Sequence, residues 1–119
     1  MARIGGKILV KADGKQYRAK GSWTYNLGKD KKEKVVGMDG VHGTKVTPQV
    51  PFIEGAITDS GTLSVEALLD LEDATIILEL ANGKIISLAG ADFAGDGNVT
   101  TEEGEIEARF EGDSAEEIR

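Results

Sequence analysis

Apolar residues recur at every second position through most of this 119-residue chain, and that period limits its fold more than any other feature. Successive side chains of an extended strand point to opposite faces, whereas a helix face needs apolar residues three and four apart. A β domain follows. Tyr17, Ala19, Gly21, Trp23, Tyr25 and Leu27 form one face of a long strand, with Arg18, Lys20, Ser22, Thr24 and Asn26 on the other. A shorter strand over Lys7–Ala12 precedes it, and Asp13-Gly14 between them suits the positive φ angles of a type I′ hairpin turn.

A second hairpin is predicted from Ile76, Leu78 and Leu80, across Asn82-Gly83, to Ile86 and Leu88. Further strands are expected at Phe52–Thr58, at Ala91–Ala94, and where Ile106, Ala108 and Phe110 alternate with Glu105, Glu107, Arg109 and Glu111. One helix is expected at Val65–Glu72, where Val65, Leu68, Leu69 and Leu71 cluster on one side. Ser64 is its N-cap, and Leu63 with Leu68 forms a hydrophobic staple. The fold class is therefore mostly β: an antiparallel β domain with one short α-helix and a long extended loop, in a single domain over 1–119.

That long loop is the stretch 28–50, rich in Lys and Gly and without a convincing core face. Structureless stretches beyond about 12–15 residues are uncommon in a compact domain unless they are functional or disordered. Lys29-Asp30-Lys31-Lys32-Glu33-Lys34 reads as a solvated arm tip, and Gly37, Gly40 and Gly43 punctuate bends around Val41 and His42. The segment is expected to be mobile in an isolated subunit and ordered against neighbours. The acidic end, Gly112–Arg119, is expected either as a frayed, flexible tail or as a segment pinned by a neighbour.

Charge is split along the chain. Residues 1–50 carry 11 Lys/Arg against 4 Asp/Glu, and residues 51–119 carry 3 against 17, so +7 and −14 sum to the net −7. Opposite fields on different surfaces suit repeated self-association, unless the halves interleave and neutralise each other locally. A net acidic chain is a poor wrapper of nucleic acid, since phosphates are neutralised by a basic surface. No apolar run reaches the about 18 residues of a spanning helix, and the first residues lack an apolar signal core, so a soluble, unsecreted protein is expected.

Nothing in the sequence supplies a catalytic constellation. There is no Cys, and His42 is the one His, set among glycines. The neighbouring carboxylates of Glu105 and Glu107 read as a solvated strand face. A calcium loop is suggested by Asp92, Asp96, Gly97 and Glu103 at the first, fifth, sixth and twelfth positions, but Ala94 at the third cannot ligate and the flanks read as strands. No cofactor or metal is expected.

Several blocks resemble the tail tube proteins of Mu-like contractile-tailed bacteriophages. Gly37-Met38-Asp39-Gly40-Val41-His42-Gly43-Thr44-Lys45 leads to Pro51-Phe52-Ile53-Glu54-Gly55. Asp73-Ala74-Thr75 precedes Leu80-Ala81-Asn82-Gly83, and Thr101-Glu102-Glu103-Gly104 precedes Arg109-Phe110-Glu111-Gly112. The resemblance implies a non-enzymatic structural virion protein of a myovirus or prophage tail, assembled in the host bacterial cytoplasm. Its subunits, each an antiparallel β-sandwich or barrel, would form hexameric rings that stack into a tube for DNA ejection. The implied partners are further copies of itself, the sheath protein, and the tail tip, baseplate and tape measure proteins. DNA would transit without specific binding, and no membrane is involved. A type VI secretion or phage-tail-like bacteriocin tube is the alternative, and a monomeric calcium- or ligand-binding β module a more distant one. Within that frame Lys29, Lys31, Lys32, Lys34, Met38, Val41, His42 and Lys45 form the candidate assembly loop. Glu54, Glu105, Glu107 and Glu111, opposite the core-facing residues of their strands, are the candidate lumen-facing set.

Overall fold

The computed structural model describes residues 9–59, 61 and 63–118. Six strands close into an antiparallel barrel: β1 (Leu9–Ala12), β2 (Lys15–Asn26), β5 (Phe52–Thr58), β9 (Glu105–Glu111), β7 (Ile85–Phe93) and β6 (Ala74–Glu79), which returns to pair with β1. Closure leaves few open edges on the barrel itself. Strand β10 (Ser114–Ile118) adds to β7, and the short β8 (Val99–Thr100) adds to β9. β3 (Lys31–Gly37) and β4 (Gly40–Thr47) form a separate two-stranded ribbon.

Alternation dictates the core. Val10, Tyr17, Ile53, Ile57, Ile76, Leu78, Ile86, Leu88, Ile106 and Phe110 point inward and are buried, while the residues between them face out. Asp13 and Gly14 take φ of 49° and 83°, both in the left-handed region, as the turn between β1 and β2 requires. The start of the first strand expected at Lys7 lies outside the described residues.

At the β6–β7 hairpin only Gly83 takes a positive φ. Gly83 donates to the Leu80 carbonyl and Leu80 to the Lys84 carbonyl, so the loop is one residue longer than a two-residue Asn-Gly turn. The strand expected at Ala91–Ala94 is the far end of β7. Across a bulge that sets Ala89 and Gly90 opposite Thr75, β7 leaves β6 and pairs Asp92 and Phe93 with β9, which closes the barrel.

Helix α1 (Val65–Leu69) begins at the expected cap, with Ser64 Oγ accepting from Ala67 N at 3.2 Å, and buries Leu68. It ends earlier than the apolar spacing implies. Asp70 caps it, and the Leu71 carbonyl accepts from Phe93 N instead of continuing the helix. The acidic end, expected either to fray or to be pinned by a neighbour, pairs within its own chain: β10 runs antiparallel to β7 with Ala115 opposite Leu88.

Candidate functional site

The stretch expected as an extended loop is a hairpin with one bulge at His42, paired from Lys31↔Thr47 to Gly37↔Gly40, with Met38-Asp39 at the turn. The tip is therefore Met38-Asp39, and Lys29–Lys34 lie at the base and along β3. The correction has a physical cause: the β-branched residues Val35, Val36, Val41, Thr44, Val46 and Thr47 favour paired strands even when neither face is buried.

Pairing assigns its faces. Lys32, Lys34 and Val36 share one face with Val46, Thr44 and Val41, and Lys34 Nζ donates to Thr44 Oγ1 at 2.9 Å. The opposite face carries Lys31, Glu33, Val35 and Lys45, and the His42 ring covers Gly37. Lys31 and Glu33 pair at 3.0 Å. At the tip His42 Nε2 lies 2.5 Å from Asp39 Oδ1, and that hydrogen bond holds Asp39 below the usual carboxylate range. Val36 is 73% exposed, Val41 65%, and Met38 fully exposed. At the arm's base Asn26 Nδ2 donates to Gln49 Oε1 at 3.3 Å, and Gly28 N donates to Asn26 Oδ1. Lys29 precedes the ribbon and is exposed.

Glu54, Glu105, Glu107 and Glu111 come together on the outer face of β5 and β9, in the register Phe52↔Glu111, Glu54↔Arg109, Ala56↔Glu107 and Thr58↔Glu105. They are not a uniform acidic strip. Arg109 donates to Glu54 and Glu111 at 2.8 Å each, with its guanidinium 4.0 Å from the centre of the Phe52 ring. The bond to Glu111, helped by Glu54, raises the Arg109 pKa further and keeps it charged. Lys20 Nζ lies 3.6 Å from Glu105 and donates to the Glu103 carbonyl at 2.9 Å. A hydrogen bond between the Glu103 and Glu105 side chains, added to their repulsion, pushes Glu103 up. Sequence reasoning missed this Arg109 clamp, although the alternation Glu107, Arg109, Glu111 already set the arginine on the acidic face.

A second unforeseen feature is a cleft of about 570 Å³ on this face. Its floor is Ala56 with the backbone at Gly55 and Ala108, and its rim is the segment Ala94–Asn98. The rim is held by Ala94 N donating to the Arg109 carbonyl at 2.7 Å and by Leu69 of α1 packed on Gly97. Beneath the floor, the Trp23 ring fills the space beside Gly55 where a side chain would stand.

Of the suggested calcium loop, Asp92 accepts from Asp73 N at 2.9 Å, and no three His, Cys, Asp or Glu among the described residues converge as a metal site. Among those residues no helix is long and apolar enough to cross a membrane.

Comparison with known proteins agrees with this architecture. A family model described as phage tail tube protein matches residues 1–117. The tube-terminating cap of the anti-feeding prophage, solved by cryo-EM, superposes with a TM-score of 0.66 at 12% identity, covering 94% of this chain and 87% of that one. The sheath/tube terminator of an extracellular contractile injection system, PVC, in its extended state gives 0.69 at 10% identity, covering 100% and 98%. No curated protein matches the sequence.

Proposed function

The chain belongs to the phage tail tube protein family, and from that premise we propose that it is the subunit of hexameric rings that stack into the inner tube of a contractile phage or prophage tail. The observation that carries this reading is the arm. Its valines and Met38 stand in solvent and bury nothing against the barrel, so their apolar surface is available only to another molecule. Head-to-tail contact between unlike surfaces repeats without closing, which is the geometry of a filament. The net charge of −7 suits a conduit through which DNA passes without adhering. In this role the protein has no reaction to catalyse, and its partners are its own copies, the sheath, and the tail tip and tape measure proteins.

A second reading has a specific observation in its favour. The two solved structures compared above are, by their descriptions, pieces that terminate the tube of a contractile device. A terminal ring, or the tube of an injection device, would use the same barrel. Sedimentation of the purified chain over rising concentration separates these readings: open-ended growth supports a tube subunit, and arrest at a single ring supports a terminator. A strictly monomeric species at millimolar concentration, also with sheath or tail-tip partners present, contradicts both.

A further inference from the structure

We infer that the Lys32/Lys34 face of the arm docks into the acidic cleft on the β5–β9 face of a second copy of this chain. The inference rests on the self-assembly proposed above and names the two surfaces that meet.

Three observations point to this pairing. The arm presents lysines and exposed valines on one face: Lys32 and Lys34 beside Val36, Val41 and Val46. The cleft presents the complement, a floor of small residues around Ala56 ringed by the carboxylates of Glu54, Asp96, Glu105 and Glu107. Within one copy Arg109 and Lys20 answer only part of that charge, and Glu107 has no ion-pair partner among the described residues.

The third observation is the placement of the two surfaces along the same strands. The arm is inserted between Asn26 and Phe52, which pair with each other at one end of the β2–β5 ladder. Lys20, Ala56 and Glu107 sit toward the other end, and Thr58↔Glu105 closes it. The cleft runs from Glu54, two residues from Phe52, to Glu105 at the far end, so it extends along the sheet away from the arm's base. An arm of seven- and eight-residue strands reaches about 25 Å beyond its base, and the molecule is 62 Å along its longest axis. One copy's arm then meets the next copy's cleft and leaves its own cleft open for another, so the contact propagates. In such an assembly Glu105 and Glu107 face a neighbour's lysines. The channel wall proposed for these two residues is the competing placement, and one set of variants separates the two.

The chain has no Cys, so single cysteines introduce the only thiols. Lys34→Cys in one preparation and Glu107→Cys in another, mixed under mild oxidation, should give a disulfide-linked heterodimer well above the yield from Lys34→Cys mixed with Asp59→Cys, an exposed control. In parallel, Glu105→Lys with Glu107→Lys should raise the concentration needed for assembly at least tenfold, as should Lys32→Glu with Lys34→Glu. Combining all four reversals in one chain should restore it to within about threefold of wild type. Circular dichroism reports that each variant is folded, and the milder Glu107→Gln serves if a reversal is not. Tubes without the heterodimer, or unimpaired assembly of the Glu105→Lys/Glu107→Lys chain, would overturn the contact and leave the tube reading standing. A heterodimer with no tubes at any concentration would uphold the contact and defeat the tube.

Discussion

Arg109 lies between Glu54 and Glu111 with the Phe52 ring beneath it. Arg109→Gln leaves those two carboxylates without their shared cation and uncovers the ring. An exposed ion pair contributes up to about 1 kcal/mol, and a cation over an aromatic face about 0.5–1 kcal/mol. The expected loss is therefore about 1–2 kcal/mol, read as a shift of the urea midpoint with unchanged slope. Gly55 sets a different limit, because a methyl there would overlap the Trp23 ring. Gly55→Ala should cost about 1–3 kcal/mol through overpacking, with a change in Trp23 fluorescence. Glu103 supplies a titration test. Its folded pKa is raised by the hydrogen bond to Glu105, so its contribution to stability is fully present below the ordinary glutamate range and is lost as pH rises through the raised value. Glu105→Gln removes the neighbouring charge, and the Glu103 midpoint, followed by side-chain carbonyl NMR, should fall.

At the scale of elements, the arm and the barrel should prove energetically separable. β3 and β4 are exposed along almost their whole length and pair only with each other. Replacing Lys29–Gln49 with a short turn should leave the barrel's melting temperature within a few degrees of wild type while abolishing assembly. A large fall in melting temperature would show that the arm supports the barrel. Helix α1 responds in the opposite way, because Leu68 is wholly buried. Leu68→Ala should cost about 2–5 kcal/mol, against about 1 kcal/mol for losing the Ser64 cap.

Elements that bury one face were legible in the sequence. β5 spans the expected Phe52–Thr58 and β9 the expected alternation, and the Asp13-Gly14 turn and the Ser64 cap stand where residue chemistry places them. Alternation records burial. The arm buries neither face, so Val35-Val36 and Val41 carry no core signal, and nothing in the pattern distinguishes the ribbon from a loop. β10 was hidden for a related reason, since only Ala115 and Glu117 of its five residues turn toward the barrel side. Helix α1 stopped short because tertiary contacts claim Leu71, which the helical spacing had included. The site was half legible: the four glutamates share a face as the alternation implies. The cleft was not, because its rim, Ala94–Asn98, is brought to that face by closure of the barrel through β7 and by packing against α1.

For the whole molecule, closure of the barrel leaves few of its own sheet edges to invite uncontrolled pairing, and in the proposed assembly the arm directs association to one contact. The basic first half of the sequence and the acidic second half meet this geometry in different ways. Lys11, Lys20 and Arg109 find carboxylates within the barrel, whereas the lysines of β3 lie away from it. Association should accordingly weaken as salt rises, because exposed charges more than about 10 Å apart are largely screened near 0.1 M. Whether this chain forms tubes is read directly by cryo-electron microscopy of the purified protein at high concentration and low salt. Hollow particles of uniform diameter with an axial channel are the expected result; a field of dispersed single subunits under the same conditions, with tail partners added, would contradict the tube reading.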